Sequence, residues 1–409
     1  MAVGFGKTVA LQPINGIRIG VANAGIKQTT RPDVVLFEFS ENTSIAGVFT
    51  KNAFCAAPVH VAKEHLASFS QHNKKGYLLI NTGNANAGTG AQGMLDANSC
   101  CQSLAEKVSA KKIDVLPFST GVIGEPLPTD KIIAVLDTAI ASLKADHWES
   151  AASGILTTDT RIKGHSATFE YQGKVVTMTG ISKGSGMIKP NMATMLGFVA
   201  CDAKIAASLL QRLLKEAADR SFNRITVDGD TSTNDACMLL ATGESGLEVT
   251  IEDEQLYQLF KEHLNALMLE IALQIVKDGE GATKLVKVLC ENASSTQEAL
   301  DVAYTVAHSP LVKTALFASD ANWGRILAAV GRSGVEELDI DKLQIYLDDV
   351  CIVENGGRAA CYTEEAGAAI MAKEEILIRI VLNRGSVTDA VWTTDLSYEY
   401  VSINADYRS

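Results

Sequence analysis

Apolar and polar positions form two distinct patterns along the chain from about Tyr77 onward. Runs of consecutive apolar residues predict buried strands, whereas apolar residues three or four positions apart predict amphipathic helices. The predicted strands are 77–80, 115–118, 194–200, 376–382 and 401–404, with a hairpin over 168–181 around Gln172 and Gly173. The predicted helices are 92–110, 130–143, 204–221, 252–276 and 364–372. Helices and strands mixed in this way predict a layered α/β or α+β fold.

The length of the chain, 409 residues and 43.5 kDa, suits two or three domains. It contains eight prolines and no stretch rich in Ser, Gly and Pro that would act as a linker. We therefore expect closely packed domains, with a boundary near residues 280–290.

Composition and charge exclude several classes of protein. Hydrophobic residues make up 47% of the chain, which excludes global disorder because disordered chains lack apolar residues. The 36 basic and 48 acidic residues give a net charge of −12 without a run of five Lys or Arg, which argues against nucleic-acid binding. No apolar stretch reaches the ~18 residues of a membrane span, and the N-terminus lacks the pattern of a signal peptide. We therefore expect a cytoplasmic protein that does not act at a membrane.

The eight cysteines form no C-x-x-C pair, and the seven histidines form no H-E-x-x-H pattern. In a cytoplasmic chain of this length, such cysteines are typical of free, buried thiols. We therefore expect neither disulfides nor a metal site.

Residues 88–93, Gly-Thr-Gly-Ala-Gln-Gly, match the dinucleotide-binding pattern G-x-G-x-x-G. That pattern binds a nucleotide when its first glycine directly follows a strand. About seven residues separate the predicted strand from Gly88, which favours a glycine-rich surface loop. A module that binds a nucleotide or metabolite without turnover is the alternative.

Residues 180–184, Gly-Ile-Ser-Lys-Gly, match the nucleophile elbow G-x-S-x-G of serine hydrolases. A predicted strand precedes Ser182, but Pro190 would interrupt the helix that must follow an elbow. A serine hydrolase that works as an uncleaved chain is kept as an alternative.

Residues 183–198, KGSGMIKPNMATMLGF, place a glycine-rich approach before Thr194 and an apolar run after it. One interpretation is a turn that leads into a core strand. The other is self-cleavage, in which the Thr194 hydroxyl attacks the carbonyl of Ala193 and the resulting ester is hydrolysed. Thr194 would then carry a free α-amine, with a pKa near ~8, that can act as the base for its own hydroxyl. Glycines suit this chemistry because the backbone must bend around the cleaved bond.

This segment resembles the autoprocessing site of the ornithine acetyltransferase family, also called glutamate N-acetyltransferase, and the resemblance extends over essentially the whole chain. The other matching blocks are NTGNANAGTG at 81–90, STGVIGEPLP at 119–128, GILTTDT at 154–160, TVDGDTSTND at 226–235, KDGEGATK at 277–284, DANWGRILAAVG at 320–331 and SINADYRS at 402–409. Many blocks in one order are more specific than any single motif. The resemblance implies cleavage between Ala193 and Thr194, into an α fragment 1–193 and a β fragment 194–409.

The same resemblance implies the roles of the site residues. Thr194 is expected to hold the acetyl group as an ester, and Thr120 and Gly121 are expected to form the oxyanion hole. The expected substrate-binding residues are Thr157, Lys183, Thr194, Glu280, Asn404 and Ser409. Lys183 would pair with an α-carboxylate, and Glu280 would contact the side-chain ammonium of ornithine.

The activity that the resemblance implies is a ping-pong transfer in arginine biosynthesis. Thr194 takes the acetyl group from N2-acetylornithine and gives it to glutamate, which releases ornithine and then N-acetylglutamate. Some members also use acetyl-CoA as a donor to glutamate, and no metal or bound organic cofactor is implied. The implied partners are small-molecule substrates and the two fragments, paired as an α2β2 heterotetramer.

The implied fold is a layered α/β sandwich of the N-terminal-nucleophile-like type over residues 1–285, with a smaller C-terminal α/β domain over 286–409. A self-processing aminopeptidase or amidohydrolase of similar architecture is the alternative, and it predicts hydrolysis instead of transfer. The chain departs from the family pattern at Arg161-Ile162-Lys163, where Phe-Pro-Lys is expected, and at Ser409, where threonine is commoner. The first change bears on substrate range, whereas the second keeps the hydroxyl group.

Overall fold

The computed structural model of the chain describes residues 3–4, 10–27, 30–69, 74–189 and 195–406. The chain divides into two compact units. The first unit comprises Lys7–Asn223 and Asp230–Ile275, and the second comprises Met1–Gly6, Arg224–Gly229 and Val276–Ser409. The predicted domain division after residue 285 stays a prediction.

Two larger sheets and one short strand pair build the first unit. Its strands are β1 (Ile17–Ala22), β2 (Val34–Phe39), β3 (Ser44–Phe49), β4 (Gly76–Asn84), β5 (Val115–Val122), β6 (Lys163–Tyr171), β7 (Lys174–Lys183), β8 (Leu196–Cys201), β9 (Lys204–Ile205), β10 (Ala236–Ala241) and β11 (Glu248–Val249). One sheet has the order β1-β2-β4-β5, the other has the order β3-β10-β8-β7-β6, and β9 pairs with β11.

The helices of the first unit are α1 (Ala57–Phe69), α2 (Gly90–Lys107), α3 (Thr129–Ala134), α4 (Leu136–Ala141), α5 (Trp148–Gly154), α6 (Ala207–Arg220) and α7 (Glu254–Lys277). Their buried residues recur at helical spacing. In α6, for example, Leu210, Leu213, Leu214 and Ala217 are buried, because an amphipathic helix turns one apolar stripe toward the core.

Aromatic side chains from both larger sheets meet in one core. Phe37 of β2 and Phe118 of β5 lie with their ring centroids 5.5 and 5.3 Å from that of Phe198 of β8. Trp148 of α5 packs edge-on against Phe37 at 5.6 Å. The two sheets therefore face each other as a sandwich, since inward-pointing side chains of packed sheets interdigitate.

Strand pairing determines which residues of the first unit come together. Strands β4 and β5 run parallel, with Gly83 opposite Gly121. Strand β7 is antiparallel to β8, with Lys183 opposite Leu196, and β8 is parallel to β10. The end of β7 therefore lies beside the start of β8, and Leu196 of β8 is two positions after Thr194 in the sequence.

A mixed six-stranded sheet forms the centre of the second unit. Its strands are β12 (Leu285–Ala293), β13 (Gln344–Leu347), β14 (Val350–Glu354), β15 (Gly357–Arg358), β16 (Glu375–Val381) and β17 (Val387–Thr394), in the order β15-β14-β13-β16-β12-β17. Its helices are α8 (Thr296–Ala307), α9 (Pro310–Phe317), α10 (Trp323–Gly331), α11 (Glu364–Met371) and α12 (Tyr398–Ala405). Side chains of the sheet and of α8 share one apolar core, which includes Val288, Val302 and Ile378.

The predicted mixed fold and the hairpin around Gln172 and Gly173 are confirmed, the hairpin as β6 and β7. The predicted helix 204–221 starts too early, since Lys204–Ile205 form β9 and α6 spans Ala207–Arg220. Two further element predictions are wrong. The predicted strand 401–404 lies within α12, whose first turn is capped by the Ser397 hydroxyl accepting from the Tyr400 N–H at 3.4 Å. The predicted helix 130–143 is two helices, because Val135 takes φ −104° and ψ 0°. Across the described residues, no helix is both long and apolar enough to cross a membrane.

Candidate active site

Thr120 and Gly121 lie near the end of β5, against the end of β4. Thr120 is 8% exposed, and it pairs with Thr82 across the sheet. Gly121 has φ +135°, and a Cβ at this position would overlap the backbone of Gly83 and Asn84. Only glycine therefore fits here, since other residues rarely adopt this φ and any side chain would displace β4.

Lys183, the last residue of β7, reaches Thr120. Its Nζ donates a hydrogen bond to Thr120 Oγ1 at 3.2 Å. Because that oxygen accepts from the ammonium, the hydroxyl hydrogen of Thr120 remains available for donation to another group. The structure thus brings together two of the predicted site residues from opposite sheets of the sandwich.

Thr157 follows α5 and is joined to the same region through Asp159, a residue that sequence reasoning did not single out. Asp159 Oδ2 accepts from the Thr157 N–H at 2.9 Å, and Asp159 Oδ1 accepts from the Gly184 N–H at 2.7 Å. Lys163 donates to Asp159 Oδ1 at 2.6 Å, and neither side chain of this pair is exposed. The signal available in the sequence was the four-residue spacing of an acid and a base next to Thr157.

The charges of this cluster govern the protonation of Asp159. Burial alone would raise its pKa, but the neighbouring charges of Lys163 and Lys183 outweigh burial and hold the pKa well below its usual range. Hydrogen bonds from Lys163 and Thr157 act in the same direction. Asp159 is therefore ionised at neutral pH, so all its oxygen lone pairs can accept hydrogen bonds.

Asn234 and Asp235, just before β10, are further residues that sequence reasoning missed. Asn234 Nδ2 donates to the carbonyl oxygens of Ala85 at 2.6 Å and Ser119 at 3.0 Å, which fixes the residue that precedes Thr120. Asp235 is 2% exposed, and its Oδ2 has no hydrogen-bond partner among the described residues. Burial raises the pKa of Asp235 well above its ordinary value, although Lys183 lowers it in part.

Asp235 directly precedes β10. The Ala236 N–H donates to the Met195 carbonyl oxygen at 3.0 Å. Asp235 therefore lies at the same level as Met195. Ala193, Thr194 and Ser409 themselves lie outside the described residues.

The second unit contains two further predicted site residues, which contact each other. Asn404 of α12 donates through Nδ2 to Glu280 Oε2 at 2.7 Å. Glu280 is 6% exposed and lies in the segment between α7 and β12. Glu280 and Asn404 thus form one hydrogen-bonded pair, although 124 residues separate them.

The structure bears on two alternative motifs. Ser182 lies inside β7 and is fully buried, so it cannot form a nucleophile elbow, which requires an exposed serine at a turn. Strand β4 extends to Asn84, and α2 begins at Gly90. Three residues therefore separate the strand from Gly88, fewer than the predicted seven, and the first glycine still does not directly follow a strand.

Comparison with known proteins gives concordant results. The ArgJ family matches residues 18–409. A protein of Pseudomonas syringae pv. tomato named arginine biosynthesis bifunctional protein ArgJ is 54% identical over 410 residues, covering 100% of both chains. The protein of that name from Psychrobacter arcticus is 55% identical over 400 residues, covering 98% of this chain and 97% of its own. The crystal structure of an arginine biosynthesis bifunctional protein ArgJ from Bacillus halodurans is 39% identical, with a TM-score of 0.49, and covers 52% of this chain and 99% of that one.

Proposed function

The chain belongs to the ArgJ family, and on that premise we propose that it transfers an acetyl group from N2-acetylornithine to glutamate through an ester on Thr194. The full-length relatives are named for arginine biosynthesis, which supports the place of the reaction in metabolism. The observation that carries the proposed chemistry is the hydrogen bond from Lys183 Nζ to Thr120 Oγ1 at 3.2 Å, because it joins a cation for substrate binding to a donor for the oxyanion.

The first half of the reaction forms the acetyl ester. Thr194 Oγ attacks the acetyl carbonyl carbon of N2-acetylornithine, and its proton passes to the α-amine of Thr194. The oxyanion that develops is stabilised by the Thr120 hydroxyl and the Gly121 N–H. The C–N bond then breaks, the leaving nitrogen takes a proton from the α-ammonium, and ornithine departs.

The second half regenerates the enzyme. The amine of glutamate attacks the ester carbonyl carbon and gives up a proton to the α-amine of Thr194. The C–O bond to Thr194 then breaks, and the Thr194 oxygen takes that proton from the α-ammonium. One amide is exchanged for another, so the reaction needs neither an external energy source nor an oxidant. The acyl ester supplies the chemistry of both steps, and we propose no metal or organic cofactor.

Binding of the two amino-acid substrates is assigned to charged and polar residues. Lys183 pairs with the α-carboxylate, which charge-assisted hydrogen bonds favour. Thr157 and Ser409 contribute hydroxyl groups, and the pair of Glu280 and Asn404 receives the side-chain ammonium of ornithine. Glutamate has no such ammonium, so Glu280 distinguishes the two substrates.

Self-cleavage between Ala193 and Thr194 produces the active enzyme in this proposal. The fragments 1–193 and 194–409 stay associated, since strands from both, such as β7 and β8, pair in one sheet. We further propose an α2β2 heterotetramer in the cytoplasm. The relatives are named bifunctional, which supports acetyl-CoA as a second acetyl donor to glutamate.

Gel electrophoresis under denaturing conditions and intact mass measurement test the nucleophile. Wild type is expected to show two fragments, the second beginning at Thr194, whereas Thr194→Ala should remain one inactive chain. Thr194→Ser keeps a hydroxyl and is expected to be cleaved. A wild-type preparation that stays uncleaved yet transfers acetyl groups at full rate would contradict the mechanism.

Product analysis separates transfer from hydrolysis. With N2-acetylornithine and glutamate together, we expect ornithine and N-acetylglutamate in equal amounts. Free acetate as the main product would favour the aminopeptidase or amidohydrolase alternative. Glutamate with acetyl-CoA alone tests the second donor, and no product would make the enzyme monofunctional.

A further inference from the structure

We propose that Asp159 is a positioning residue of the acetyl-transfer site, whose single carboxylate holds the segment of Thr157 and the turn after Lys183 in one fixed arrangement. The inference rests on the proposed function, because Thr157 and Lys183 are its substrate-binding residues. Asp159 acts through its hydrogen bonds to Thr157 and to the Gly184 N–H.

The contacts of Asp159 connect segments that are distant in the sequence. Oδ2 accepts from the Thr157 N–H at 2.9 Å and from Thr157 Oγ1 at 3.4 Å. Oδ1 accepts from the Gly184 N–H at 2.7 Å, 25 residues further along the chain. The two oxygens of one carboxylate therefore determine the distance between Thr157 and the end of β7.

The backbone at Gly184 makes this contact sensitive to small changes. Gly184 has φ +153°, and a Cβ here would meet Ile188 Cδ1 at 2.9 Å. Because Lys183 directly precedes this turn, the hydrogen bond to Asp159 also orients the side chain that reaches Thr120 Oγ1. Asp159 thus holds Thr157 and the residue next to Lys183 through one carboxylate.

The ion pair between Asp159 and Lys163 is secondary to these hydrogen bonds. Both side chains are fully buried, and Lys163 pairs with Ser182 across the hairpin, so its backbone is fixed in β6. Buried ion pairs often contribute little net stability, because desolvation offsets the attraction. We therefore assign the positioning role of Asp159 to its three hydrogen bonds to Thr157 and Gly184, and not to the ion pair.

Two variants test the inference. Asp159→Asn removes the negative charge and leaves one oxygen that can accept hydrogen bonds. It also leaves the Lys163 ammonium buried without that carboxylate as its counter-ion. The double variant Asp159→Asn with Lys163→Met removes both charges at similar side-chain length, so no unpaired charge is buried. Asp202→Asn is the matched control: Asp202 is also buried, at 5% exposure, and accepts from the Thr177 N–H at 2.9 Å, but it follows the far end of β8.

Initial rates are measured with both substrates varied and are normalised to the cleaved enzyme seen on the gel. The double variant is expected to raise KM for N2-acetylornithine and for glutamate by about 10- to 100-fold, the effect of losing hydrogen bonds to a charged group. Its kcat should stay within about threefold of wild type, as expected when binding but not transition-state stabilisation is lost. Asp202→Asn should lower thermal stability without a change in KM.

The outcomes are distinguishable. If wild type does not transfer acetyl groups from N2-acetylornithine to glutamate, the proposed function is wrong, and this result is independent of any variant of Asp159. If wild type transfers them and the folded double variant keeps both KM values, the positioning role of Asp159 is overturned. A loss of stability equal to that of Asp202→Asn, with no change in KM, would likewise assign Asp159 to structure alone.

Discussion

Lys183 and Thr120 belong to different sheets of one sandwich, and a hydrogen bond of 3.2 Å joins Lys183 Nζ to Thr120 Oγ1. The ammonium polarises the hydroxyl, because a hydrogen bond accepted by an oxygen strengthens the donation by its own O–H. Thr120 is therefore a stronger donor than an isolated threonine. The hydrogen bond also ties the position of Thr120, the proposed oxyanion donor, to that of Lys183, the residue proposed to bind the substrate carboxylate.

Thr120→Val tests the donor. The change removes the hydroxyl while keeping the branched shape, and kcat is expected to fall about 10²- to 10³-fold, the effect of losing one oxyanion donor. Thr120→Ser keeps the hydroxyl and serves as the control, with kcat expected within about tenfold of wild type. Single-turnover rates of acetylation measure both. Equal activity of Thr120→Val and wild type would remove Thr120 from the oxyanion hole.

Gly121→Ala tests the backbone of the same site. Its φ of +135° and the overlap of a Cβ with the backbone of Gly83 and Asn84 predict a severe change, more than about 4 kcal/mol in the free energy of unfolding. Gly173→Ala is the matched control, since Gly173 has φ +75° but, its chain neighbours aside, no atom of the described residues lies within 4 Å of its Cβ position. That control should cost only about 1–2 kcal/mol.

Urea unfolding of both glycine variants measures the difference. Similar losses in the free energy of unfolding for Gly121→Ala and Gly173→Ala would mean that the backbone of β4 can shift at little energetic cost. The backbone of Gly83 would then impose no requirement for glycine opposite it.

Local patterns predicted elements of the first unit from Tyr77 onward, but not β1, β2, β3 or α1, which precede it. The hairpin of β6 and β7 was predicted around Gln172 and Gly173, and α7 was predicted from helical periodicity. Such signals are local, since each depends on residues within one or two turns. The family resemblance then located Thr120 and Lys183, although their mutual contact could not be predicted.

Long-range contacts could not be predicted in the same way. Asp159 contacts Gly184, and Asn234 contacts Ser119, 115 residues away. The spacing of apolar residues along the chain does not indicate such pairs, because only the fold brings these residues together. The C-terminal helix was missed for a different reason: α12 has no buried residue, so it has no apolar stripe and its only local signal is the cap at Ser397.

Glu280→Gln tests the substrate pair of the second unit. The amide keeps the shape that contacts Asn404 but loses the charge proposed to bind the ornithine ammonium. We expect kcat/KM for N2-acetylornithine to fall about 10- to 100-fold, and kcat/KM for glutamate to change much less. Measuring each half-reaction alone gives kcat/KM for N2-acetylornithine and kcat/KM for glutamate separately.

Glu291→Gln is the control for charge loss in the same unit. Glu291 pairs with Arg379 at 2.9 Å and has no assigned role in binding. Both half-reactions should stay near wild type in this variant. An unchanged kcat/KM for N2-acetylornithine in Glu280→Gln would refute the assignment of Glu280.

Lys313→Met tests a buried cation of the second unit through its pH dependence. Lys313 is 4% exposed, and it donates to Thr393 Oγ1 at 3.2 Å and to the Thr394 carbonyl oxygen. Burial lowers its pKa to about 8, although Asp395 and Asp228 act in the opposite direction. The pKa of a lysine in the unfolded chain is about 10.4.

The sign of the effect follows from proton binding. Below pH 8 both states hold the proton, and the folded state bears the full cost of the buried charge. Between about pH 8 and 10.4 the unfolded state binds more protons than the folded state, so the stability contributed by Lys313 rises with pH. The largest gain is about 3 kcal/mol, from the difference between the two pKa values.

Urea unfolding of wild type and Lys313→Met at pH 7.5, 9 and 10.3 measures this gain as a difference, in which the titration of all other groups cancels. The free energy of unfolding of wild type, relative to that of Lys313→Met, is expected to rise by about 2–3 kcal/mol from pH 7.5 to pH 10.3. Lys342→Met is the control, because Lys342 is exposed and its hydrogen bond with Asp339 raises its pKa, so its contribution should not change until higher pH. A constant difference between wild type and Lys313→Met would show that Lys313 keeps its proton in the folded protein throughout this range.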